Sequence, residues 1–181
     1  MSDPTQFPSF LRPFGPAAIE RIAAASSHPI HGALQFQVRA EPLVVPRRIY
    51  CRPSLLAQWA DRVQGDERLL IQALATRHWD GHVRERHLRS ILPFQRDWLA
   101  AFVVQLLGEY VVEIAQAILA SIDELDSALY GAFVKENPGF MATTERRVVS
   151  YWNCYYRHAG YKYREEYPAM VALRAIQRMA Q

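Results

Sequence analysis

The sequence predicts a mostly α-helical fold, with helical pairs in tandem behind a proline-rich extended arm. Three observations carry that prediction. Eight of the eleven prolines fall in residues 1–53, and proline interrupts both helix interiors and central strands. Beyond Pro53 apolar residues recur at helical spacing. Residues 74–119 then read as two similar units, one containing ATRHWDGHVRERHLRSIL and the other FVVQLLGEYVVEIAQAIL. Each is an apolar helix, a short polar break and a second apolar helix.

Taken in order, residues 16–25 suit a short helix with Pro16 in its first turn. Leu34, Phe36 and Val38 alternate with Gln35, Gln37 and Arg39, the period of a strand. Glu41-Pro42 is the expected turn into a second extended segment, 43–50, so a short β-hairpin within the 1–53 arm is predicted. Ser54 is the expected cap of a helix whose face is Leu55, Leu56, Trp59 and Val63. Gly65 ends it and Asp66 caps the next, which carries Leu69, Leu70, Ala73 and Leu74. Trp79-Asp80-Gly81 breaks the chain before a helix over 83–92, closed by Pro93. Residues 98–107 and 110–119 form a pair split at Gly108. Asp123 or Asp126 starts a helix through Val134, Asn137-Pro138-Gly139 is a turn, and Thr143 or Thr144 caps a helix through Tyr156. Gly160 breaks that helix, and Tyr167-Pro168 leads into the last one. Residues 54–181 are thus expected to form one helical domain.

Asp80, Val83 and Arg84, followed by Leu88 and Leu92, resemble the turn aspartate and Val-Arg pair that open the second helix of HEAT-type repeats. Ile91-Leu92 and Ile118-Leu119 recur after 27 residues, and Glu113-Ile114 stands where the second unit would need Val-Arg. The resemblance covers residues 66–120, and 126–160 more loosely. It implies a short HEAT-like α-α solenoid, whose stacked pairs bury a continuous core and present a curved binding surface. By the same resemblance, Arg84 would bridge repeats toward an acid such as Glu113.

Half of the residues are apolar and 12% aromatic, which excludes a disordered chain. Two cysteines exclude a disulfide framework. MSDPTQFPSF lacks the basic and apolar regions of a leader, and no run of about 18 apolar residues occurs. A cytoplasmic, bacterial-type protein with no membrane segment is therefore expected. The formal charge is +3, but it is unevenly spread. Residues 103–136 hold six acids and one base, whereas 137–181 hold seven bases and three acids.

No nucleophile motif, phosphate loop or strong metal signature is present, so no catalytic residue, metal or cofactor is assigned. His78 and His82 have i,i+4 spacing, but Asp80-Gly81 interrupts the helix that would aim both at a metal. With His87 they are read as histidines of a polar turn. Cys154 and His158 have thiolate-pair spacing without an oxyanion hole. Binding candidates are clearer. Arg84 and Arg86 belong to the densest basic stretch. Glu109 and Glu113, at i,i+4, form an expected acidic ridge. Six of nine tyrosines lie in 151–167, with Tyr151 and Tyr155 on one face and Arg157 beyond them. Tyrosine and arginine join apolar area to a polar tip, which suits binding hot spots.

The expected function is a non-catalytic protein-interaction module binding one protein partner, for instance an immunity or antitoxin-type protein. The alternative is a nucleic-acid-binding HEAT-like protein or a DNA glycosylase-like enzyme, which needs basic residues on successive repeats.

Overall fold

A computed structural model describes residues 7–181; residues 1–6 of the expected arm lie outside the described residues. The fold is mostly helical, with one two-stranded antiparallel sheet among the described residues. No helix there is long and apolar enough to cross a membrane. The chain divides into two units, Met1–Ile91 and Leu92–Gln181.

The first unit contains α1 (Gly15–Ala25), β1 (Ala33–Val38), β2 (Glu41–Pro46), α2 (Pro53–Asp61), α3 (Gly65–Ala75) and α4 (Gly81–Ile91). The alternation read in β1 holds: Leu34, Phe36 and Val38 are buried, as are Leu43 and Val45 opposite. The turn falls two residues before the expected one. Val38 pairs with Glu41 and Gln37 with Pro42, so Glu41-Pro42 already belongs to β2. The connection is Arg39-Ala40, with φ of 52° and 59°. Two left-handed residues fit a tight hairpin, although neither side chain favours that conformation. Contacts from residues 9–12 hold the turn. Ser9 donates from its hydroxyl and amide to the Glu41 carboxylate, both at 2.7 Å, and Arg12 reaches it at 3.3 Å. Ser9's hydroxyl first, then its amide, keep the Glu41 carboxyl below its ordinary pKa. The Arg39 guanidinium lies 5.0 Å from the centre of the Phe10 ring.

After β2 the chain is strapped to the α3–α4 connection. Ile49 N–H donates to Arg77 O, and Trp79 N–H donates to Ile49 O. Helices α2, α3 and α4 then pack successively. Two helix starts differ from expectation. α2 begins at Pro53 rather than behind Ser54, and α3 begins at Gly65 with Asp66 and Glu67 in its first turn. A proline as first helical residue needs no amide partner, and acids in a first turn stabilise the helix dipole.

The second unit contains α5 (Leu99–Leu107), α6 (Val112–Ala120), α7 (Ser127–Glu136), α8 (Pro138–Tyr151) and α9 (Pro168–Arg178). All nine residues of α5 are buried. α6, α7, α8 and α9 each pack on it, and α9 also packs on α6, α7 and α8. Asp126 caps α7, accepting from the amides of Ala128 and Leu129. The Asn-Pro-Gly triplet is a helix start rather than a turn: α8 opens at Pro138, and Asn137 Nδ2 donates back to Phe133 O at 2.8 Å. Thr143, the expected cap, instead bonds Gly139 O from within the helix.

Two outcomes test this packing. Replacing Arg39→Asn with Ala40→Gly should raise stability by about 1 kcal/mol, since both new residues accept the left-handed turn; urea unfolding measures it, and a loss would show that the Arg39–Phe10 contact outweighs the strain. In α7, a Cβ on Gly131 would run into the Met179 carbonyl oxygen. Gly131→Ala should therefore lower stability by about 2 kcal/mol despite alanine's better helix propensity, seen as a lower thermal midpoint.

Candidate functional site

The site is built where α8 ends. Past Tyr151 the helix widens into a single π-turn, Trp152–Tyr156, closed by Arg157 N–H donating to Trp152 O at 2.8 Å. Such turns re-aim side chains and recur at functional sites. Here the turn divides six tyrosines into two groups. Tyr156, Tyr161 and Tyr167 pack inward. Tyr156 stacks on Tyr167 with ring centres 5.1 Å apart, and Tyr161 meets both edge-on. Tyr167 is fully buried, and burial, then the neighbouring tyrosine hydroxyls, raise its pKa. The Tyr156 hydroxyl donates to Tyr110 O, pinning the α5–α6 connection.

In the other group Tyr110 and Tyr155 face water and Tyr151 is half-buried. Tyr151 and Tyr155 lie 6.1 Å apart, and Tyr110 joins them at 6.3 and 6.5 Å. Tyr110 is 53% and Tyr155 60% exposed.

Beyond the π-turn, residues 157–165 fold around an open cleft of about 800 Å³ lined by Trp152, Arg157, His158, Lys162, Tyr163, Arg164 and Glu165, with Gly160 at its base. Gly160 has φ of +117°, which permits the reversal. Trp152 Nε1 donates to Tyr161 O, fixing the ring as one wall. The Arg157 guanidinium lies 5.8 Å from that ring's centre, and Lys162 Nζ lies 5.4 Å from the centre of Tyr163. Arg164 contacts Glu165 at 3.3 Å, and that carboxyl is held below its ordinary pKa by its own backbone amide and then by Arg164. Arg157 and Lys162 therefore stand beside aromatic faces and are exposed, an arrangement that suits carboxylates or phosphates beside a planar group.

The remaining sequence candidates do not join this site as a set. Tyr151, Tyr155 and Arg157 are together on it. Glu109 and Glu113 form no helical ridge, because α5 stops at Leu107 and α6 starts at Val112. Glu109 in that connection is buried, while Glu113 is exposed. Arg84 is buried in the first unit and donates from Nη1 to the carbonyls of His78 and Trp79, at 2.9 and 2.8 Å; it holds the α3–α4 loop. Arg86 is exposed on α4. Sequence reasoning missed Lys162, Tyr163 and Arg164, although the Tyr-Lys-Tyr-Arg run stood in the tyrosine-rich segment. It also missed Tyr110, which only the fold brings to Tyr151.

The histidines are likewise separated. His78 is buried. Its Nδ1 accepts from Asp80 N–H at 3.0 Å, so its Nε2 donates to Cys51 O at 2.9 Å. Both nitrogens are thereby used in structure. Asp80 Oδ1 accepts from His82 N–H and caps α4, while the His82 ring is exposed. Among the described residues no three His, Cys, Asp or Glu side chains group to hold a metal.

No known protein family, curated protein or solved structure matches the chain.

His87 gives a pH signature. Burial, then the charge of Arg86, lower its pKa to about 4 from an ordinary 6.5. Between those values the unfolded chain binds a proton that the folded chain does not. Stability should therefore fall as pH drops from about 6.5 to about 4. His87→Gln should flatten that slope by on the order of 2–3 kcal/mol. Urea unfolding of both proteins across this range measures it; parallel curves would place the sensitivity elsewhere.

Proposed function

We propose that this protein is a non-catalytic interaction module that holds a short acidic segment of a protein partner in the cleft of its second unit. The observation that carries this reading is the cleft lining, in which Arg157, Lys162 and Arg164 stand beside Trp152 and Tyr163 with Glu165 as the one acid. Arginine and aromatic rings are the groups that concentrate binding energy at interfaces. The charge is local. The second unit holds nine bases against ten acids, so it carries no net positive charge, and three of those bases line the cleft. A polynucleotide needs a basic track along its backbone. The short footprint favours an acidic peptide segment over the nucleic-acid alternative, including a glycosylase-like enzyme.

The succession α2–α3–α4 supports a HEAT-like reading of that stretch. The second unit lends the repeat reading no such support, because α9 returns to pack on the helices before it. A module whose task is to occupy a partner fits an immunity or antitoxin-type role.

The test is binding of a labelled oligoglutamate peptide, followed by fluorescence anisotropy. Arg157→Glu with Lys162→Glu should weaken it about tenfold or more, and wild-type affinity should fall with added salt. Both side chains are exposed, so the thermal midpoint should hold. Undiminished binding by the double variant, or displacement of the peptide by oligothymidylate, would sink this reading.

A further inference from the structure

We infer that the exposed tyrosines Tyr110 and Tyr155, with the half-buried Tyr151 between them and the unit, form a second subsite, which takes an aromatic side chain of the same acidic segment. This rests on the cleft reading above and specifies the partner's chemistry: acidic residues with a Trp, Tyr or Phe two or three residues away.

The three rings lie at pairwise distances of 6.1, 6.3 and 6.5 Å, tilted by 31°, 60° and 45°. These are attractive aromatic geometries, yet two of the rings leave more than half their surface in water. Core packing does not require that exposure, since Tyr156, Tyr161 and Tyr167 already fill the inner side of the turn. The platform is also fixed in place. Tyr110 stands on the connection that the Tyr156 hydroxyl holds. Tyr151 ends α8, and Tyr155 lies in the π-turn. Rings positioned beforehand lose little entropy when a ligand docks.

Platform and cleft share one backbone turn. Tyr151 precedes Trp152 of the cleft wall, and Tyr155 precedes Arg157 by two residues. Six residues separate Tyr151 from Arg157, about 9 Å of helix axis. An extended peptide covers that in two to three residues at about 3.3 Å each. Charge decides which ring-bearing ligand fits. Glu113 is exposed in the first turn of α6, three residues past Tyr110. An acid thus lies beside the platform and repels a phosphate backbone there, whereas a neutral aromatic side chain is accepted.

The experiment compares two labelled acidic peptides, one with a tryptophan beside its glutamates and one with alanine in its place, and adds oligothymidylate as a third probe. The tryptophan peptide should bind roughly five- to tenfold more tightly, as one aromatic contact allows. Tyr155→Ala or Tyr110→Ala should erase that preference, so that the two peptides bind the variant equally. Tyr155→Phe should retain it. Equal affinity of the wild type for both peptides, or a preference that survives both alanine variants, would overturn the subsite and leave the cleft reading standing. If neither peptide binds, the cleft reading fails and the subsite with it. Oligothymidylate bound by wild type and lost in Tyr155→Ala would reassign the platform to base stacking and overturn the inference.

Discussion

Helix α5 has no face that it can show to water, and the second unit is arranged around that constraint. Eight of its nine residues, from Leu99 to Leu107, are apolar and all nine are buried. At about 1.5–3 kcal/mol for each large apolar side chain buried, exposing one side of this helix would forfeit more than most single contacts contribute. A helix apolar all round needs neighbours all round. α6, α7 and α8 supply part of the cover, and α9 supplies the rest with Ala169, Met170, Ala172, Leu173 and Ile176 buried. Gly131 lets α7 approach the end of α9. The return of α9 is therefore a requirement of the core.

That requirement generates the site. The chain leaves α8 and must re-enter at Pro168. Tyr156 and Tyr167 mark the two ends of the excursion, and their stacked rings clamp it shut at its base. Between them Tyr161 turns inward against both rings, and most of the remaining residues are exposed. The remaining residues carry Arg157, His158, Lys162, Tyr163 and Arg164, side chains that tolerate water and bind anions. The π-turn adds one residue to the helical repeat, and within it Tyr155 is exposed while Tyr156 stacks on the buried Tyr167. One local irregularity thus separates the tyrosines that stabilise the unit from those available to a ligand.

Local signals were legible where the deciding physics is local. The alternation of Leu34, Phe36 and Val38 gave both strand and face, because a period of two has one buried side. Asp126 was readable as a cap, since its carboxylate serves amides two and three residues on. The hairpin turn was hidden, because Arg39 and Ala40 are not turn formers and are held by Ser9, Arg12 and Phe10 from outside the hairpin. Pro53 and Pro138 are ambiguous in sequence: proline ends one helix and begins another with equal ease, and the residues that follow decide. Glu109 read as a surface acid from its i,i+4 spacing to Glu113, a spacing that shares a face only in a helix, and residues 108–111 are not helical. At the site, the tyrosine-rich run was visible, but the inward and outward division depends on the π-turn. Tyr110 enters from 41 residues away, through a contact with Tyr151 that no spacing encodes.

The arrangement of the helices was the least accessible level, for a reason that the two units illustrate. An amphipathic stripe states that a helix must be covered and leaves open by what. In the first unit the cover for α3 includes its sequence neighbours α2 and α4, with α1 adding to it. In the second, the cover for α5 includes the most distant helix of the unit. The sequence did hold a sign of this. Residues 98–107 are apolar on every face with Gln105 as the lone polar side chain, whereas 83–92 carry charge on one side. A helix of a stacked array keeps a polar face for the surface it lines. A helix without one belongs at the centre of something that closes around it, and the candidate surface then lies on the loops the closure leaves outside.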